Sequence, residues 1–328
     1  MVYFTYQIKI YYNQIYNIFD IYFISLLFEN KTHYYINMSV SNNKTSNYSD
    51  IVDKSLSKAF RGGISGSIAM AINICTLMPL RTSVNYQYRY GTTSLVSMKT
   101  LYNEGGILRF YRGFGFAIIQ GPWSRFGDTF ANVGMLTYLD SNKTTRDFNV
   151  GTKTLLASAS ASLFRVLSTP IDTCKTVLQV EGKEGLKKLG NKFRNSGGFP
   201  RGLPVMWYGA MGSAGATFIG HYPWFFTYNY LQKNMKKRDT MLGELSKNAF
   251  IGFSASAISD TVSNSVRVLK TYRQTHIEKV SYPNAIRNIV KTDGILSLFG
   301  RGLKTKIISN GIQGALFTVL WKMIQKHI

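Results

Sequence analysis

The chain of 328 residues carries 39 Lys and Arg against 16 Asp and Glu, a formal net charge of +23. That surplus points to a polyanion, a membrane surface or anionic solutes. With only 17% charged and 14% aromatic residues, however, the composition is not that of a nucleic-acid binder, and none is expected as a partner. Two cysteines and four histidines argue against a disulfide framework or a zinc site.

Residues 1–54 stand apart as an N-terminal extension. Met1–Phe28 is rich in Tyr, Ile and Phe, but Lys9 and Asp20 interrupt it and it lacks the charged start and cleavage site of a secretory signal. Met38–Asp53 is rich in Ser and Asn; for the segment before it a seventh span, a disordered tail and a true start at Met38 are open readings, the last two favoured. Spanning helices are then expected near Ala59–Tyr86, Gly113–Asp140, Thr152–Val177, Gly209–Gln232, Lys247–Tyr272 and Gly302–Gln325. Gly62–Leu80 and Gly202–Gln232 contain no charged residue, matching the roughly 20 residues a helix needs to cross a bilayer. The Lys-rich stretch Gly182–Arg201 reads as a solvated loop.

The mean hydropathy of -0.06 is low for a membrane protein. A bundle around a watery chamber reconciles the two, because only its outer faces need be apolar. Asp128, Arg165 and Asp260, each inside an otherwise uncharged segment, fit that reading, since ionisable groups at membrane depth face a cavity or a partner. Small residues four apart open the odd helices (Gly62/Gly66, Ala157/Ala161, Gly252/Ser256), a spacing that lets helix backbones approach closely. Pro79 and Pro170 sit late in the first and third helices, where a lost backbone hydrogen bond is expected to bend them; Ser265 takes the third place.

These features repeat. Thr169–Lys175 has degraded copies at Met78–Val84 and Asn264–Lys270. After each comes a second marker: Glu104-Gly105 with Tyr111-Arg112-Gly113, then Trp207-Tyr208-Gly209, then Asp293-Gly294 with Arg301-Gly302. Two markers in the same order three times describe tandem units at 55–142, 150–235 and 242–326.

Pro170, Asp172 and Lys175, together with Glu104, Gly105 and the Tyr111-Arg112-Gly113 turn, resemble the repeated signature of the mitochondrial carriers of the inner membrane. The likeness runs from about Ser55 to Lys326. It implies an all-α membrane protein with six transmembrane helices in three repeats, forming a pseudo-threefold barrel around a central cavity. It also implies a monomer that moves a solute by alternating access through the mitochondrial inner membrane, without a cofactor and in contact with lipids, anionic phospholipid such as cardiolipin among them.

In that family the acid of each copy pairs with the base of the next to close the matrix side. Here Asp172 would pair with Lys270, whereas Arg81 would face Lys175 and Arg267 would face Val84, so one bridge of three survives. The cytoplasmic gate becomes Tyr228, Asn229 and Gln232 in the fourth helix and Trp321, Lys322 and Gln325 in the sixth, with amides replacing ion pairs. Counting two turns from each glycine turn puts the solute at Gln120, at Ala216 and Thr217, and at Ser309 and Asn310. Helical spacing extends these faces through Ser124 and Asp128, through His221 and through Gln313. Arg165 and Asp260, each five residues before the proline position, would line the same depth.

Plainer readings stand beside these. Arg165 and Asp260 could pair with each other as a structural bridge, Asp128 could pair with Arg125, and His221 could be a hydrogen-bonded core residue. Hydroxyls and amides with few charges suit a small polar or zwitterionic solute better than a triphosphate. No Walker loop or nucleophile elbow is visible, so an enzyme is not expected. A scaffold or proton-leak protein of the same fold is the alternative.

Overall fold

The computed structural model describes residues 71–313, apart from 72, 237, 239, 277 and 279, and these described residues contain only helices and connections. The extension 1–54, the Gly62/Gly66 spacing, and Trp321, Lys322 and Gln325 lie outside them, as does the side chain of Asn229. α1 covers residues 73–90, α2 Ser94–Asn103, α3 Gly106–Phe110, α4 Phe114–Ser141 and α5 Val150–Asn195. A 3-10 turn, Leu203–Trp207, precedes α6 (Ala210–Asn234), followed by α7 (Met241–Thr275), α8 (Tyr282–Asp293), α9 (Ser297–Gly300) and α10, described over 303–313. Side chains that accept from orphan backbone N–H groups start several of these helices: Thr93 for α2, Asn149 for α5, Thr240 for α7 and Ser281 for α8.

The expected solvated loop at Gly182–Arg201 is helical as far as Asn195. Gly182 breaks the path with φ 68 and ψ -155, and the following turns bury Leu186 and Leu189 against Val177 and Val205 while Lys187 stays in solvent. The Leu spacing of three residues makes an amphipathic helix; the lysine count hid it. Pro170, like Pro122 and Pro223, is accommodated inside a continuous helix. The fifth expected segment is longer than its apolar stretch, because Thr240 caps it at Met241 and the chain remains helical to Thr275.

The long helices form a closed ring. Ile74 and Met78 of α1 pack on Ala117 of α4, and Trp123 of α4 packs on Phe164 of α5 with ring centroids 5.4 Å apart. The Trp207 indole, just before α6, donates to the Val166 carbonyl of α5 at 3.0 Å. Ser259 of α7 donates to the Gly220 carbonyl of α6 at 2.7 Å. Asn310 of α10 donates to Asp260 of α7 at 2.6 Å, and Thr305 of α10 donates to Gln87 of α1 at 2.9 Å, closing the circle.

Three left-handed glycines lock neighbouring segments at equivalent places. Gly113, Gly209 and Gly302 have φ of 84, 93 and 67. A Cβ on each would stand 3.1 Å from the Lys175 carbonyl, 2.7 Å from Gln274 and 2.8 Å from Tyr88, respectively. Only glycine offers both that backbone and that clearance. Beside two of them a buried arginine ties down a helix end: Arg109 donates to the carbonyls of Gln179 and Val180, both at 2.8 Å, and Arg301 reaches those of Tyr88 and Arg89. Glu104 and Asp293 hold the two guanidiniums in place.

Polarity in this ring is inverted. Large apolar side chains are exposed at helical spacing: Leu155, Leu163 and Leu167 on α5, Tyr222, Phe226 and Tyr230 on α6, and Phe250, Ile258 and Val262 on α7. Buried positions of the same helices hold Ser162, Asp172, Ser213, Asp260 and Asn264. Among the described residues, no helix is long and apolar enough to cross a membrane. The helices have the length; the hydroxyls and charges on their inner faces lower their hydropathy.

Candidate functional site

A cavity of about 130 Å3 opens inside the ring. α4 contributes Gln120, α5 contributes Arg165 and Asp172, and α6 contributes Ser213 and Thr217. α7 adds Arg267 and Lys270. The structure thus brings together expected solute contacts and expected gate residues in one chamber.

Its floor is organised by Asp172. This carboxylate accepts from Lys175 at 2.7 Å on its own helix and from Lys270 at 2.6 Å across the gap to α7. Lys175 also donates to Gln120 at 2.9 Å, and Gln120 donates to Ser124 at 2.8 Å, so one polar chain joins α4, α5 and α7. The arginines at the positions equivalent to Asp172 turn back along their own helices. Arg267 pairs with Asp260 at 3.1 Å and reaches Ser263, and Arg81 donates to Asn73. Val84, which Arg267 was expected to face, is instead buried in an apolar cluster with Tyr88 and Val268.

Arg165 pairs with Asp128 of α4 rather than with Asp260, while the Arg125 side chain lies outside the described residues. Asp260 is held by Arg267 and Asn310 rather than by Arg165. Equal depth does not bring Arg165 and Asp260 together, because each finds a partner nearer to it around the ring.

The remaining residues scatter more. Thr217 lines the cavity while its hydroxyl donates to the Ser213 carbonyl at 3.0 Å. Ser309 is buried on α10. His221 lies edge-on to Phe225 with centroids 6.0 Å apart. At the far end of α6, Tyr228 stacks on Trp224 at 5.0 Å, and the Gln232 side-chain Oε1 is buried without a hydrogen-bond partner among the described residues. Cys75 is exposed.

Sequence reasoning missed Arg109 and Lys306. Arg109 stands three residues before the Arg112 that the marker emphasises, yet it is the one that is 1% exposed and bonded to two helix-end carbonyls. The signal was available in the spacing from Glu104, five residues earlier, with which it pairs at 2.7 Å. Lys306 has no hydrogen-bond or ion-pair partner among the described residues, although Asp260 and Arg267 are within electrostatic reach. Outside the ring, where α7 ends, burial holds the His276 imidazole below its ordinary range and the nearby Arg89 charge adds to the effect.

A ring of long helices with apolar outer surfaces and a charged chamber defines, over the described residues, a helical bundle built around an internal polar site. Residues 243–328 match the family described as mitochondrial carrier protein. A comparison with curated proteins returns no significant match. Members of that family are transporters of metabolites across a membrane, typically the mitochondrial inner membrane.

Proposed function

We propose that this protein carries a small polar metabolite across the mitochondrial inner membrane by alternating access, without enzymatic chemistry. The observation that carries the reading is the inverted polarity of the ring. Apolar stripes such as Tyr222, Phe226 and Tyr230 face outward, while Asp172, Lys175, Arg267 and Lys270 surround a central cavity. Exposed apolar bands of this size need a partner surface, and lipid is the one that covers a closed ring on all sides. Six spanning helices in three repeats follow from the same picture, supported by the equivalent glycines 113, 209 and 302. Because the inner faces contact the chamber rather than lipid, each helix crosses with a lower hydropathy than an isolated anchor needs.

The solute occupies the chamber between Gln120, Arg165 and Thr217, the protein works as a monomer, and the surrounding phospholipids include anionic ones. The Asp172–Lys270 contact closes one side and is released when that side opens. The test has two parts. Alkaline carbonate should leave the protein in the membrane pellet while detergent releases it. The purified protein in liposomes should then exchange a labelled solute, and Asp172→Asn should alter that rate. Release by carbonate overturns the membrane reading. Insertion without exchange of any amino acid, carboxylate or nucleotide overturns transport in favour of a scaffold.

A further inference from the structure

The chamber holds more positive than negative charge. Arg165, Arg267 and Lys270 line the cavity against one lining carboxylate, Asp172, and beside it Arg81, Lys175 and Lys306 add three cations against two carboxylates, Asp128 and Asp260, among the described residues. Each carboxylate is already engaged: Asp128 by Arg165, Asp172 by two lysines, and Asp260 by Arg267 and Asn310. The imbalance has a sequence origin. Where one motif copy has Asp172, the other two have Arg81 and Arg267, so two acids are exchanged for bases at the chamber floor.

Buried cations without counter-charge are costly in a low-dielectric interior, and an anion entering the chamber relieves that cost. The chamber also offers unused donors. The Ser213 hydroxyl and the Arg165 Nε are buried without hydrogen-bond partners among the described residues, and both residues line the cavity. Ser213 is only 8% exposed, so bulk water does not satisfy it. A zwitterion would bring no net charge to this surplus, and a cation would add to it.

Size narrows the choice further. The cavity of about 130 Å3 is close to the ~150 Å3 void that accommodates a benzene ring. A nucleotide does not fit that space, whereas a short-chain acid does.

We propose that the transported solute is a small organic dianion, of the short dicarboxylate class, whose charges neutralise the surplus around Lys306, Arg267 and Lys270. It thereby acts as the acid that two motif copies lack. The site is the one assigned above, so this inference rests on the transport reading and sharpens it from polar solute to anion.

The full-length protein in detergent tests it, with melting followed against succinate, its neutral diamide succinamide, inorganic phosphate and sodium chloride at matched ionic strength. Succinate should raise the melting temperature saturably, and succinamide and salt should not. Lys306→Met should weaken the apparent succinate affinity at least five-fold, as should Ser213→Ala, which keeps the test alive should the lysine variant not fold. A response to phosphate or salt but not succinate overturns the dianion assignment, as does an equal response to succinamide. Liposome exchange separates the two levels of the claim. A succinate shift without succinate exchange overturns transport and leaves the anion site standing. Exchange of a neutral or cationic solute with no succinate shift overturns the anion site and leaves transport standing.

Discussion

Replacing Arg109 by methionine tests whether a buried guanidinium, rather than the marker arginine beside it, fastens the ring. Arg109 is 1% exposed and makes three charge-assisted hydrogen bonds, at 2.7 Å to Glu104 and 2.8 Å each to the carbonyls of Gln179 and Val180. The two carbonyl bonds cap the end of the α5 segment just before Gly182 breaks it. Hydrogen bonds to a charged group contribute about 1.5–3 kcal/mol each. The Glu104 bond is discounted because that carboxylate is 40% exposed. Losing the other two leaves both carbonyls without their capping donor and should cost about 3–5 kcal/mol. At roughly 2–4 °C per kcal/mol for a chain larger than a small domain, the detergent-solubilised protein should melt at least about 6 °C lower. The control is Arg112→Met, which removes a side chain with no hydrogen bond or ion pair among the described residues and should shift melting by less than half as much. Equal shifts for the two variants, or an Arg109→Met shift below about 2 °C, would refute the capping argument.

Gly209→Ala should lower stability by about 1–3 kcal/mol, since φ is 93 and the new Cβ would stand 2.7 Å from Gln274; thermal melting with Gln274→Ala added should recover the steric part only. Asp128→Ala and Arg165→Ala should each destabilise, and the double variant should show a coupling of about 0.5–3 kcal/mol, because the two side chains pair directly. The same cycle built on Arg165 and Asp260 should show additivity. Asp172→Asn leaves Lys175 and Lys270 facing each other and should cost about 3 kcal/mol, read as lower melting and as faster labelling of a cysteine placed at Ser213. Finally, His276 binds its proton less readily in the folded protein than in the unfolded chain. Stability should therefore be complete above the unfolded imidazole pKa and fall as pH drops through and below about 6.5. His276→Gln should flatten that limb of a melting-versus-pH curve.

The helical class and the order of the long helices were legible because uncharged runs such as Gly202–Gln232 and the glycine turns punctuate the sequence. The chamber residues Gln120 and Thr217 were reachable by counting helical turns from Gly113 and Gly209. Pairing was not reachable in that way. Which carboxylate meets Arg165 depends on the rotation of α5 against α4, and helix periodicity fixes positions along one helix without fixing the rotation of its neighbour. The same limit explains the arginines at 81 and 267. Arg267 reaches Asp260 on its own helix, and Arg81 donates to Asn73 on its own helix while staying within electrostatic reach of Lys175. The stretch after Gly182 failed for a different reason: lysine abundance outweighed a two-leucine apolar face that becomes visible only when Val177 and Val205 are there to receive it.

The floor of the chamber carries a consequence for the proposed transport cycle. Among the described residues, the floor pairs Lys175–Asp172 and Arg267–Asp260 lie within single helices, Lys270–Asp172 links α5 to α7, and Arg165–Asp128 links α5 to α4 elsewhere in the chamber. Pairs inside one helix travel with it, so they cannot resist helices moving apart. On the proposed alternating-access reading, opening this side breaks the Asp172–Lys270 pair at the floor, and the empty protein is biased only lightly toward closure. A solute that binds both conformations equally shifts nothing, however tightly it binds. For transport to depend on cargo, the cargo must interact differently with the open and closed floors. An anion set between Arg267 on α7 and Lys175 on α5 does so, because the two bases move apart when the floor opens. On this reading the exchange of acids for arginines moves part of the gate from the protein to the solute. Cargo that carries the missing negative charge then becomes a condition for closing the floor firmly.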